Sequence, residues 1–131
     1  MLQSVAVASS GPGYDYHPFD DPTKSMKIVL MLYDGAISYL RKALVYGEMG
    51  DVKNRNVLIN KARDVIAELD GGLDEAIGGD FAVKLRQLYN FMREHLSTSI
   101  HTQNTQAVND IIKILSSVRD SWQEVEKQFA V

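Results

Sequence analysis

Histidine is the residue type that could carry chemistry in this chain, because the sequence holds three histidines and no cysteine. His95 and His101 fall in helical patterns. A di-iron site in a helical bundle needs glutamates and Glu-x-x-His pairs projecting to one centre. Six residues apart at ~100° per residue, the two histidines lie on different helix faces. Neither follows a glutamate by three positions: Met92 and Thr98 stand there instead. No metal site is therefore expected. A mid-helix histidine could also accept a phosphoryl group. His95, however, is followed by Leu-Ser-Thr-Ser, without the Lys and Gly that such modules carry three and four residues on. Gly78-Gly79 could place backbone N–H groups around a phosphate, but the pair reads more simply as a turn between helices. No nucleophile elbow or metal-binding motif accompanies the serines and acids. The expectation is a protein with no catalytic residues and no cofactor.

The composition agrees with a binding role. With 131 residues, 45% hydrophobic and 24% charged, the chain can bury one domain core. A net charge of −3 gives no reason to expect nucleic acid or an anionic membrane surface. The absence of cysteine suits the cytoplasm. Met1–Ser10 lacks the basic start of a secretory signal, and no run approaches the ~20 apolar residues of a membrane span. A soluble, cytoplasmic protein is expected.

Gly, Pro and Asp divide the chain into a tail over residues 1–19 and a helical domain over 20–131. Asp21 followed by Pro22 reads as an N-cap and first helical residue, with this helix ending at Gly47 or Gly50. Asp51 caps a second helix with Ile59, Ala62, Ile66 and Leu69 on one face. A third, from about Asp80 to Ile100, should bury Phe81, Leu85, Leu88, Met92 and Leu96. Asn104 or Thr105 starts a fourth, where Val108, Ile111, Leu115, Val118, Trp122, Val125 and Phe129 recur in steps of three and four. Four such helices with short loops predict an all-α, antiparallel up-down four-helix bundle, the tail or a short extra N-terminal helix lying on it.

The first helix carries more apolar surface than one core contact uses. Met26, Val29, Leu30, Tyr33, Ile37, Leu40 and Leu44 share one face. Ile28, Leu32, Tyr39 and Tyr46 form a second stripe beside it, for a combined arc of roughly 200° against the ~100° a surface helix needs. Either another element or a partner must cover the surplus. This second stripe is the expected partner-binding surface. Its competing role is burial against the tail, whose Tyr14, Tyr16 and Phe19 could form an N-terminal cap or gate. Tyr33 and Trp122 are expected in the core.

Leu30-Met-Leu-Tyr-Asp-Gly-Ala36, Gly50-Asp51, Ile59-Asn-Lys-Ala62, Ile66 with Glu68-Leu69, Gly78-Gly79, Leu88-Tyr89 with Met92, and Arg119 with Trp122 together resemble the flagellar secretion chaperone family, FliS. The ordered set runs from about Pro22 to Val125. Glu94–Asn104 departs from the family's more usual Leu-x-x-Ala-Asn run, so contacts there do not carry over. The resemblance implies a non-enzymatic bundle that binds the C-terminal segment of flagellin in the cytoplasm. It also implies that the protein prevents premature polymerisation and aids delivery to the flagellar type III export gate. The competing class is a non-flagellar interaction module, a signalling adaptor or a histidine phosphotransfer bundle.

Overall fold

A computed structural model describes residues 22–73 and 75–129 of the chain. Expectations for residues 1–19, for Tyr14, Tyr16 and Phe19, and for Asp21 as a cap lie outside the described residues. Four helices follow in order: α1 Pro22–Glu48, α2 Val52–Gly71, α3 Glu75–Thr102 and α4 Thr105–Phe129.

The turns explain where the helices stop. After α1, the Gly50 N–H bonds to the Gly47 carbonyl and the Asp51 N–H to the Tyr46 carbonyl, at 3.1 and 2.9 Å. This paired C-terminal closure puts Gly50 in the left-handed region at φ 77°, where a Cβ would be strained. Asp51 then caps α2, its carboxylate accepting from the Asn54 backbone N–H and side-chain amide at 3.1 and 2.7 Å. Those two donors favour the anion and hold the Asp51 pKa below its usual value. A short helical turn precedes Gly79, whose φ of 55° and ψ of −133° break α3. The continuous part of α3 therefore starts at Asp80, where the sequence placed it. Asn104 opens α4 by accepting from the Ala107 N–H at 3.2 Å.

The helices form a ring in which α1 packs on α2 and α4, and α3 packs on α2 and α4. Side-chain partners show the antiparallel order: Asp70 meets Arg86, Arg63 the Arg93 carbonyl, and Arg55 Ser99, so α3 descends as α2 rises. Tyr33, Leu40, Ile59, Ile66, Met92, Leu96, Ile111 and Leu115 fill the centre. Several expected core residues are not fully buried, Leu88, Val118 and Val125 being intermediate. Phe81 is 60% exposed, and Trp122 is only partly buried, packed against the core from outside. Both lie on the α3–α4 side of the bundle.

Among the described residues, Arg55 is the buried charge, at 4% exposure. Its guanidinium donates to the Ser99 carbonyl at 3.2 Å, the Ser99 hydroxyl at 2.8 Å and the Asn56 side-chain oxygen at 2.9 Å. None of these acceptors is anionic, and burial lowers the Arg55 pKa. The cation instead faces carbonyls at the C-terminal end of α3, where the helix dipole is negative.

Candidate functional site

The four contacts of the ring are unequal. The closest apposition is between α1 and α2, the loosest between α3 and α4. Along that loose seam a groove of about 570 Å3 opens to solvent, lined by Phe81, Lys84, Leu85 and Leu88 from α3 and by Ser117, Val118, Ser121, Trp122 and Val125 from α4. Helical spacing accounts for both walls. Phe81, Lys84, Leu85 and Leu88 recur at three- and four-residue intervals, as do Ser117/Val118, Ser121/Trp122 and Val125. Six of the nine lining residues are large and apolar, and Lys84 is the only ionisable one. An apolar trough with few polar groups suits an amphipathic helix or extended apolar segment and offers no catalytic constellation.

A buried polar cluster lies behind one wall. Trp122 Nε1 donates to the Tyr33 hydroxyl at 3.2 Å, and the Tyr33 and Tyr89 hydroxyls pair at 2.5 Å. Burial raises the pKa of both tyrosines, and Tyr33 beside it pushes Tyr89 further. On its outer side, Trp122 meets Phe81 edge-on, with ring centroids 6.0 Å apart and planes at 72°, a favourable quadrupole geometry.

The second stripe of α1 has a different fate from the one expected. Leu32 is 6% exposed and belongs to the core cluster, while Ile28 and Tyr39 pack half-buried against it and Tyr46 is half-buried. Lys61 of α2 sits 5.8 Å from the centroid of the Tyr39 ring, within cation–π range. This contact shows that the stripe's flank is turned towards α2. Leu32 is therefore corrected from an open binding residue to a core residue: α1 has a neighbour on each side, and its wide apolar arc serves both. Gly35 would meet nothing within 4 Å if it carried a Cβ.

His95 is half-buried and stacked on Phe91, with centroids 5.3 Å apart and planes at 16°. Among the described residues, no group of three or more His, Cys, Asp or Glu could hold a metal ion. No helix among them is long and apolar enough to cross a membrane.

The family model for the flagellar protein FliS matches residues 22–129, which is the whole bundle. This chain belongs to the FliS family. It is 32% identical over 100 residues to the flagellar secretion chaperone FliS of Salmonella typhimurium, covering 76% of this chain and 74% of the relative. With FliS of Vibrio cholerae it shares 31% over 103 residues, 79% and 76% of the two chains. With FliS of Bacillus subtilis it shares 24% over 120 residues, 92% and 88%.

The residues that resemble FliS do identifiable work in this bundle. Tyr33, Tyr89 and Trp122 are the members of the buried cluster, supplied by α1, α3 and α4. Asp34 accepts from Arg119 Nε at 2.8 Å and from its Nη2 at 3.4 Å, fixing α1 against α4. Gly50-Asp51 ends one helix and caps the next, and Ile59, Ala62 and Ile66 face the centre. The FliS pattern thus writes out the bundle. The groove walls add Phe81, Val118 and Val125, which the resemblance did not include. All three stand in the apolar rows read as core, so spacing alone gives no signal that separates them from buried positions.

Proposed function

We propose that this chain is a cytoplasmic export chaperone that binds the C-terminal segment of flagellin, keeps it from polymerising early and aids its delivery to the flagellar type III export apparatus. The observation that carries the reading is the open apolar groove between α3 and α4 in a FliS-family bundle. A client segment that is unstructured alone but amphipathic as a helix buries its apolar face there by helix-in-groove recognition. Ile28, Tyr39 and Tyr46, half-buried along the α1–α2 flank, offer a second strip. Leu32 lies within the core and supports that strip from inside. A standard specific contact buries ~800 Å2 on each partner, and ordering the client offsets ~2–5 kcal/mol of the gain. The complex is then specific yet reversible, with no nucleotide needed for release.

The test is calorimetric titration with the last several tens of residues of the cognate flagellin, paired with circular dichroism. Binding with a negative heat-capacity change and a gain of helix is expected. Absence of heat or helix gain with protein at roughly 50 µM would overturn the proposal.

A further inference from the structure

We infer that Tyr33 is a positioning residue for the client groove, its hydroxyl pinning the Trp122 indole that forms part of one wall. The inference rests on the groove being the client site.

Tyr33 is on α1, is fully buried and is not among the groove-lining residues. Its oxygen accepts the Trp122 indole N–H at 3.2 Å. The same oxygen is held in place by the Tyr89 hydroxyl, itself 1% exposed. Trp122 is therefore fixed from behind by a hydrogen bond and flanked in front by the edge-on contact with Phe81. An indole has one donor and no acceptor, so a single acceptor at one point sets which way its ring turns. Without that acceptor the N–H loses its 3.2 Å partner and keeps only the Tyr89 hydroxyl on the core side. The half-buried ring then lowers its energy by rotating the N–H towards water, which carries the ring into the groove. The first helix thus shapes a groove formed by the third and fourth. A wall held in its binding orientation before the client arrives avoids the cost of ordering that side chain at docking.

Tyr33→Phe and Tyr89→Phe separate this role from a merely structural one. Both variants remove the hydroxyl pair and leave the aromatic rings in the core. Tyr33→Phe removes the oxygen that the indole meets at 3.2 Å and leaves only the Tyr89 hydroxyl, which also interacts with Trp122, whereas in Tyr89→Phe the Tyr33 oxygen stays in place. Trp122 is the only tryptophan of the chain, so its indole N–H gives one resonance in a nitrogen-correlated NMR spectrum, readable without any client. Three measurements are made on each full-length variant: thermal melting, the indole resonance of the free protein, and the affinity for the flagellin C-terminal segment. The expected result is a larger loss of melting temperature in Tyr33→Phe, which breaks both hydrogen bonds, than in Tyr89→Phe, which breaks the hydroxyl pair alone. Tyr33→Phe alone should move the indole resonance towards that of a solvent-exposed tryptophan and weaken the client about tenfold, the weight of roughly one hydrogen bond. An unmoved indole resonance in Tyr33→Phe overturns the inference, as does an equal loss of client affinity in Tyr89→Phe. Failure of the unaltered protein to bind flagellin instead overturns the proposed function, and the indole comparison still decides whether Tyr33 positions the wall.

Discussion

Leu32→Asp and Phe81→Asp place the same charge on two apolar flanks of the bundle, and the structure assigns them opposite outcomes. Leu32 is 6% exposed. Removing its side chain from the core costs ~2–5 kcal/mol, and a carboxylate left there without a partner adds several more unless it takes up a proton. The sum reaches the 5–15 kcal/mol that typically holds a whole domain folded. Phe81 is 60% exposed, so roughly 80 Å2 of a phenylalanine's ~200 Å2 is covered, about 2 kcal/mol at ~25 cal/mol per Å2. Phe81→Asp should therefore melt roughly 10 °C below the unaltered protein but remain helical. Leu32→Asp should lose the cooperative melt. For the client the order reverses. A charge at position 81 sits in the groove mouth, and Phe81→Asp should weaken the flagellin segment by more than about tenfold while still folded. The assay pairs thermal melts followed by circular dichroism with calorimetric titration of the peptide. Two results would refute the reasoning. A folded Leu32→Asp with a normal melt means the α1–α2 flank is open after all. A Phe81→Asp protein that binds flagellin at full strength means the client docks elsewhere.

Arg55→Met tests the buried cation. Its carbonyl acceptor on Ser99 also receives the Gln103 N–H at 2.7 Å, and the Ser99 hydroxyl donates to the Asn104 carbonyl at 2.9 Å. Losing the guanidinium thus leaves those groups partnered, and the cost should be about 1–3 kcal/mol in urea unfolding, below the ~3–5 kcal/mol of breaking a buried ion pair. Alkaline pH tests the tyrosine pair. Burial raises both phenol pKa values from 10.0, so folding favours the neutral phenols. That contribution is complete below pH 10.0 and is lost as pH rises above it towards the folded-state values. Urea midpoints taken between about pH 8 and 11 should fall at the upper end, and less steeply in Tyr89→Phe.

The helices and their ends were legible because they depend on local chemistry. Gly50-Asp51 closes α1 and caps α2 with groups no more than five residues apart, and Asn104 does the same for α4. The core row of α2 and the first part of that of α4, Val108, Ile111 and Leu115, could be read from spacing alone. What could not be read were contacts between helices whose relative rotation the sequence does not state. The Arg55–Ser99 bonds join residues on different helices, as do the Tyr33–Tyr89 pair and its Trp122 donor. Phe81 shows the difference at one position. Its spacing to Leu85 and Leu88 matches a core row, yet it lies two residues after the break at Gly79 and lines the open groove between α3 and α4. The same groove leaves Trp122 half-buried rather than central.

A surplus of apolar surface on a helix has no functional meaning until its neighbours are known. In this bundle α1 and α3 both carry one. On α1 the extra stripe lies beside a tight seam, so Leu32 enters the core and Lys61 covers Tyr39. On α3, Phe81 and Leu88 flank the core residue Leu85 and face a partner helix that does not close over them, and Val118, Trp122 and Val125 of α4 are likewise only partly buried. An arc counted on one helix measures the demand for cover, whereas the site appears where two adjoining helices both have demand left over. That condition holds at the α3–α4 seam and accounts for the groove there. The tyrosine pair lies just behind this groove, so the polar group that orients Trp122 is shielded by the core while the indole it holds still reaches the surface.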